Sequence, residues 1–309
     1  MSSNAATGAR KSRGGDDVVA QLEAIEAGSG DGTLRLPDGV ELHVSSLGKP
    51  YFPRAGLTKG DLLRHYARSS HAILPTIADR PLVLRRFPQG ARGPSFFQQN
   101  APDSVPEGVR VETIESDAGE PQRRFVGGDL ATLLYTAQLG AISVDPWNAR
   151  IGSLDRVDWV VLDLDPGEGV AFATAVEVAR EVKRALDALG LRGALKTSGK
   201  RGLHVFLPQP DGVTEKQAVA LARKVAERVA RARPEIATVE RSVEARPTGT
   251  VYVDYLQNIV AKPVAAAWCV RATPEATVST PLPWDALADD LDPRAFTIAT
   301  VRADRPWPG

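Results

Sequence analysis

The sequence predicts an α/β (α+β) protein. Three observations carry this reading. Residues 159–165 (WVVLDLD) form a dense β-branched run suited to a buried central strand, and residues 170–189 and 213–232 each show long helical periodicity. Strands and helices also alternate too irregularly for a Rossmann or barrel arrangement. With 309 residues, 43% of them hydrophobic and 25% charged, the chain can build one large core or two intimately joined lobes.

Taken in order, residues 1–31 are rich in Ser, Ala, Gly and charge, with one short apolar-periodic piece from Val18 to Ile25, and read as a flexible tail. LRLPDGVELHVSSL alternates apolar and polar residues around Pro37-Asp38-Gly39, the pattern of a hairpin. A helix starts at Thr58, where TKGD resembles a capping box with Asp61 in the place of Glu, and runs to Ile73. PLVLRRFP is a strand, and QGARGPSFFQQNAPD after it is a loop carrying two exposed aromatics. Residues 129–139 form an amphipathic helix. The 159–165 strand and 170–189 helix follow, the latter ending at Gly190 as a C-cap. ALKTSGKRGLHVFLP reads as strand, glycine-rich turn, strand; the 213–232 helix stops before Pro234; TVYVDYLQN is another strand. A Pro-spaced segment from residue 274, with a short helix over 284–291, wraps the fold.

Composition narrows function. The 38 basic and 38 acidic side chains cancel, so a nucleic-acid contact would have to come from local clusters of Lys and Arg. Cys269 is the single cysteine, which excludes an intrachain disulfide and a cysteine-based zinc cluster and points to a reducing cytosol. No apolar run approaches the roughly 20 residues of a membrane span.

Chemistry concentrates at a few positions. Asp163 and Asp165 lie two apart on a strand, so their carboxylates share a face at its C-terminal end, just before Pro166-Gly167. Two carboxylates there repel unless a cation lies between them, and Mg²⁺ or Mn²⁺ suits such oxygen ligands; a solvated strand end or a helix cap is the plain alternative. Asp254 sits amid strand residues in VYVDYL, where a carboxylate needs a partner, a metal or solvent. TSGKRGLH, residues 197–204, sets two glycines, a hydroxyl, two cations and His204 between strands, a composition able to bind phosphate through backbone N–H groups and charge. A polar hairpin is the alternative, and no GxxxxGK[ST] occurs, which disfavours P-loop chemistry. Lys49, Lys59, Arg85 and Arg86 stand at element edges where a pocket could gather them. Phe96 and Phe97 lie in a polar loop, offering either a stacking face for a base or one buried anchor ring.

VVLDLDPGEG, KTSGKRGLHVFLP and VYVDYLQN, in this order, resemble the three motifs of the archaeo-eukaryotic primase superfamily, and most of all those of the polymerase domain of bacterial ligase D. The similarity runs from about Leu42 to Trp284 and takes in LGKPYFPRAGLTKGDLLRHYA, RPLVLRRFP, PSFFQQ, VDPWNAR and VRATPEATVSTPLPWDAL.

The resemblance implies a primase-polymerase catalytic fold with a central mixed or antiparallel sheet flanked by helices. It would be a single domain over residues 32–309, its N-terminal lobe about 32–140 and its catalytic core about 141–309. It also implies roles: Asp163, Asp165 and Asp254 as catalytic, metal-binding carboxylates for two Mn²⁺ or Mg²⁺ ions; Ser198, Arg201, His204 and Arg271 for the incoming nucleotide; Lys49, Lys59 and Arg85 for the 5′-phosphate of a downstream strand; Phe96 and Phe97 for template stacking. The implied reaction is template-directed addition of NTPs or dNTPs to primer 3′ ends at gaps or double-strand breaks in bacterial DNA repair. The implied partners are gapped or broken DNA, NTP or dNTP, Ku and a separate DNA ligase, with no membrane, for a cytoplasmic, nucleoid-associated monomer on DNA. A primase that starts chains de novo and a non-catalytic DNA end-bridging protein are the alternatives. The chain departs from the family at Asp145, where histidine is frequent before Pro-Trp, and at Gln99 and Asn100, where Lys-His is common; each lowers positive charge next to DNA.

Overall fold

The structure is a computed structural model. It describes residues 3–116, 119–259, 261–304 and Trp307, with side chains in the first helix from Gly15 onward. The chain divides into two compact units, one formed by Met1–Pro146, Ala265–Thr277 and Thr297–Pro306, the other by Trp147–Val264, Val278–Phe296 and Trp307–Gly309. The expected lobes are therefore redrawn: the break comes after Pro146, and two C-terminal stretches return to the first unit.

In the first unit the stretch expected to be a flexible tail is instead a helix, α1, Ser3–Ala27, followed by a strand from Gly32 to Arg35. Val18, Val19 and Leu22 are buried on the side of α1 that packs against α2, Lys59–Ile77. The apolar spacing at 18, 22 and 25 is helical, and the packed stripe outweighs the Gly- and Ser-rich composition around it. The expected hairpin forms, Gly32–Arg35 against Glu41–Val44 with Leu34 opposite Leu42, both buried. The capping box at Thr58 and Asp61 forms as well, and α2 continues past the expected end at Ile73, with Pro75 inside it.

Leu82–Arg86 pairs with Phe96–Gln98 on one side and Asp145–Pro146 on the other. Residues 96–98, expected as loop, are thus strand: their backbone groups find ladder partners that a sequence of Gly and Pro on one side does not announce. α3 follows at Leu130–Gln138, with Asp129 as its N-cap.

The second unit is built on one sheet. In spatial order its strands are Ala237–Thr238, Val251–Asp254, Ser153–Pro166, Leu203–Thr214, Ala194–Thr197 and Pro281–Leu282, with Ala149–Arg150 paired to the long strand. All pairs are antiparallel except the one between Ala237–Thr238 and Val251–Asp254, so the sheet is mixed. Helices α4, Phe172–Ala188, and α5, Glu215–Ala232, bury their apolar stripes against one face of it, among Val160, Leu162, Leu164, Leu203, Val205, Val251 and Val253. Strand residues alternate sides, so Trp159, Val161 and Phe206 form a separate small cluster with Val264 and Trp307 on the opposite face. The expected short helix over 284–291 is a single 3₁₀ turn, Trp284–Ala286. Among the described residues no helix is long and apolar enough to cross a membrane.

Candidate nucleotidyl-transfer and phosphate sites

On the face of the sheet opposite α4 and α5, register places four polar residues in one row. Lys196 stands opposite His204, His204 opposite Asp163, and Asp163 opposite Asp254, each on its own strand. Asp165, two residues on from Asp163, lies on the same face opposite Tyr252. The alternation that sends Leu162 and Leu164 into the helix-covered core turns both carboxylates the other way. The expected shared face of Asp163 and Asp165 is what the register produces, with Asp163 half-buried and Asp165 exposed.

The row is joined by contacts. His204 Nε2 lies 3.4 Å from Asp163 Oδ1, and Lys196 Nζ lies 2.7 Å from His204 Nδ1. Asp254 is held by its own chain, accepting from Leu256 N at 2.7 Å and from Gln257 Nε2 at 3.1 Å. The Tyr252 hydroxyl, 3.3 Å from Asp254 Oδ1, has its pKa raised to about 12 by burial and by that carboxylate, so it stays a donor. Arg246 covers the Tyr252 ring at 4.0 Å.

Among the described residues no group of three or more His, Cys, Asp or Glu is drawn together into a ready ion cage. The donor set is nonetheless that of a hard divalent cation, because Mg²⁺ binds through one or two carboxylates and completes its shell with water and substrate phosphate. Asp163 and Asp165 are the pair that fits; Asp254 adds charge at the end of the row.

The turn between Thr197 and Leu203 is closed by Ser198, whose N–H donates to Gly202 O at 2.9 Å. Ser198 Oγ accepts from Lys200 N and Gly202 N, both at 3.1 Å. Those two N–H groups are thereby spent within the turn, contrary to the expectation that they would approach phosphate. The side chains of Lys200 and Arg201 are exposed instead. Gly202 is required by close approach: a Cβ there would lie 2.3 Å from Leu164 O, on the Asp163–Asp165 strand.

The first unit holds the other sequence-selected cations. Lys59 N donates to Lys49 O at 2.9 Å, which draws the two lysines together; Lys49 Nζ donates to Pro88 O at 2.8 Å and Lys59 Nζ to Ser45 O at 3.0 Å. Lys59 is buried, and its pKa falls from 10.5 to about 8, chiefly through desolvation and then through the positive field of Lys49, with an opposing effect of Asp31 and a smaller lowering by Arg86. The first-turn N–H groups of α2 are spent within the protein. Lys59 N and Gly60 N donate to the carbonyls of Lys49 and Leu47, and Asp61 N to Thr58 Oγ1.

Arg85 is held by neighbours of its own. Its Nε donates to Ser95 Oγ at 3.0 Å, and its guanidinium lies 5.7 Å from the Phe97 centroid, while Arg86 lies 5.4 Å from Phe96. Adjacent strand residues face opposite ways, so one arginine of the pair serves each aromatic, and Arg86 is the one whose field reaches Lys59. The family resemblance implies Arg85 for the 5′-phosphate, and the pairing of Leu82–Arg86 with Phe96–Gln98 is what distinguishes its surroundings from those of Arg86. Phe96 and Phe97 are both exposed, at 49% and 64%, so neither is a buried anchor. Arg271 belongs to this unit too, with Nη1 3.4 Å from Asp145 Oδ1, so the Asp145 departure is also where Arg271 finds a partner. Gln99 accepts from Arg124 Nη2 at 2.8 Å, and Asn100 O accepts from Gln98 Nε2 at 2.8 Å.

Comparison with known proteins gives a consistent result. The family described as LigD, primase-polymerase domain, matches residues 58–305. The bifunctional non-homologous end joining protein LigD of Bacillus subtilis is 32% identical over 262 residues, covering 84% of this chain and 42% of the relative. The multifunctional LigD of Mycolicibacterium smegmatis is 30% identical over 261 residues, covering 82% and 34%. The polymerase domain from Mycobacterium tuberculosis ligase D, solved in complex with DNA, superposes with a TM-score of 0.76 at 31% identity, covering 84% of this chain and 92% of that one. The chain spans less than half the length of these curated relatives.

Proposed function

Since the chain belongs to the LigD primase-polymerase family, we propose that it is a metal-dependent nucleotidyltransferase of DNA end joining, extending primer 3′ ends at gaps or breaks with NTPs or dNTPs. The observation that carries this is the row His204, Asp163, Asp254 with Asp165 beside it, on the sheet face opposite the helices.

Asp163 and Asp165 would hold a divalent ion, Mg²⁺ or Mn²⁺, which when bound would supply positive charge to the substrate phosphates. Asp254 stays fixed by Leu256 N and Gln257 as the third carboxylate. His204 offers a hydrogen bond from the same face. Ser198 shapes the turn that presents Arg201 to phosphate. This is catalysis by positioning and charge stabilisation.

In the first unit, Lys49, Lys59 and Arg86 supply the charge for a terminal 5′-phosphate, and Phe96 and Phe97, each under an arginine, give ring faces to template bases. Gapped or broken DNA in the bacterial cytoplasm is the substrate, with Ku and a ligase activity as partners in the pathway.

Primer extension on gapped DNA tests the reading, with and without a 5′-phosphate, with NTP against dNTP and Mg²⁺ against Mn²⁺. Metal-dependent extension of a gapped primer is expected. DNA binding without extension under any metal would favour an end-bridging protein, and product from single-stranded template and NTPs alone would favour a primase.

A further inference from the structure

Lys196 is the member of the row with no part in the reaction as described so far. Its side chain is fully buried, at 0% exposure, and an ammonium is not buried without partners. It lies 2.7 Å from His204 Nδ1, 2.7 Å from Ser279 Oγ and 5.4 Å from the Phe206 ring centroid.

The direction of each hydrogen bond follows from what each atom can offer. Ser279 Oγ lies 2.7 Å from Thr197 O, an oxygen without hydrogen, so the one hydroxyl hydrogen is spent there and lone pairs face Lys196. The lysine ammonium has only hydrogens to give, and it gives them to Ser279 Oγ and to His204 Nδ1. Nδ1 is then an acceptor, the ring hydrogen sits on Nε2, and Nε2 is the atom 3.4 Å from Asp163 Oδ1.

We propose that Lys196 is a positioning residue: by donating into Nδ1 it holds His204 as the Nε2–H tautomer, a fixed hydrogen-bond donor aimed at Asp163 and at any phosphate oxygen brought beside it. A donor cannot also ligate a cation through the same nitrogen, so an ion at Asp163 is left to the carboxylates. This extends the proposed nucleotidyl-transfer reading, but its first test does not depend on activity.

The full chain labelled with ¹⁵N-histidine holds four imidazoles, and His204 is assigned by the signal lost in His204→Gln. Long-range ¹H–¹⁵N correlation at neutral pH, without added metal, should show His204 protonated at Nε2 and bare at Nδ1. Lys196→Met removes the donor and should redistribute the tautomer. Lys196→Gln, whose amide can still donate, should retain it and keeps the test alive if the Met variant does not fold.

In primer extension, Lys196→Met should raise the nucleotide KM by about tenfold or more, as loss of a supporting hydrogen-bond partner commonly does, with partial rescue in Lys196→Gln. A hydrogen on Nδ1 in the wild type, or unchanged His204 signals in a folded Lys196→Met, overturns the proposal. Absence of extension by the wild type would overturn the function proposed above and leave the tautomer result standing.

Discussion

The backbone N–H of Lys59 donates to the carbonyl of Lys49 at 2.9 Å, so two lysines ten positions apart are tied together by main chain as well as by position. Their like charges, with Arg86 adding a third, produce repulsion that an anion would relieve. Wild-type protein is therefore expected to bind gaps bearing a 5′-phosphate more tightly than gaps ending in hydroxyl, and Lys49→Ala/Lys59→Ala to lose that preference. Binding of both substrates at one fixed salt concentration checks it, since electrostatic affinity depends on salt. Equal affinity of the wild type for both ends would remove the pocket.

The same cluster separates the two neighbouring arginines. Arg86→Ala should reduce the phosphate preference by about tenfold, the size of one charge-assisted contact, while Arg85→Ala should leave it within about threefold. If Arg85→Ala has the larger effect on the preference, the assignment is reversed.

Lys59 also sets a pH dependence. Its pKa of about 8 in the folded protein lies below the ordinary 10.5, so the unfolded chain binds more protons between those values. The cost of burying the charge is thus fully present below about pH 8 and is relieved as pH rises toward 10.5. Phosphate binding runs the other way, because a bound anion favours the ammonium. The preference for a 5′-phosphate should hold up to about pH 8 and then fall by up to about tenfold per pH unit, with uptake of a proton on binding. A preference independent of pH between neutrality and pH 10 would show that Lys59 does not contact the phosphate.

Asp163→Asn and Asp165→Asn are expected to abolish extension while changing DNA affinity by less than about threefold, since an ion proposed there would serve chemistry more than docking. Titrating Mn²⁺ to saturation should not restore the double variant. Restored extension there would sink the metal assignment.

Phe97 is exposed, so Phe97→Ala should leave stability within about 0.5 kcal/mol while weakening binding to template DNA by about 1–3 kcal/mol, the value of one stacked base. Leu22→Ala, in contrast, removes a fully buried side chain from α1 and should cost about 2–5 kcal/mol in denaturant unfolding. A free tail would register no loss.

Much of the second unit was legible in sequence because its signals are local. The β-branched run marked the strand of Asp163 and Asp165, two helical periodicities marked α4 and α5, and Gly199 and Gly202 marked the turn. What was not legible is pairing. Nothing in the chain around residue 196 says that Lys196 will stand beside His204, or that Asp254 will stand beside Asp163, because register is decided between strands distant in sequence. The difference between Arg85 and Arg86 is not legible for the same reason, since it depends on the partner strand at Phe96–Gln98. α1 is not legible in the Gly- and Ser-rich composition around it, because its short apolar stripe becomes decisive only when α2 lies against it.

The row that crosses four strands also acts as a check on assembly. Each of its members alternates along its strand with residues of the helix-covered core, so a one-position slip of the Ser153–Pro166 strand would drive Asp163 and Asp165 into that oil and expose Leu162 and Leu164. The polar groups of the row thereby penalise every wrong alignment of the sheet. A chain that has folded at all has its charges facing the right way, and insertions of a single residue in these strands are where the protein should be least forgiving.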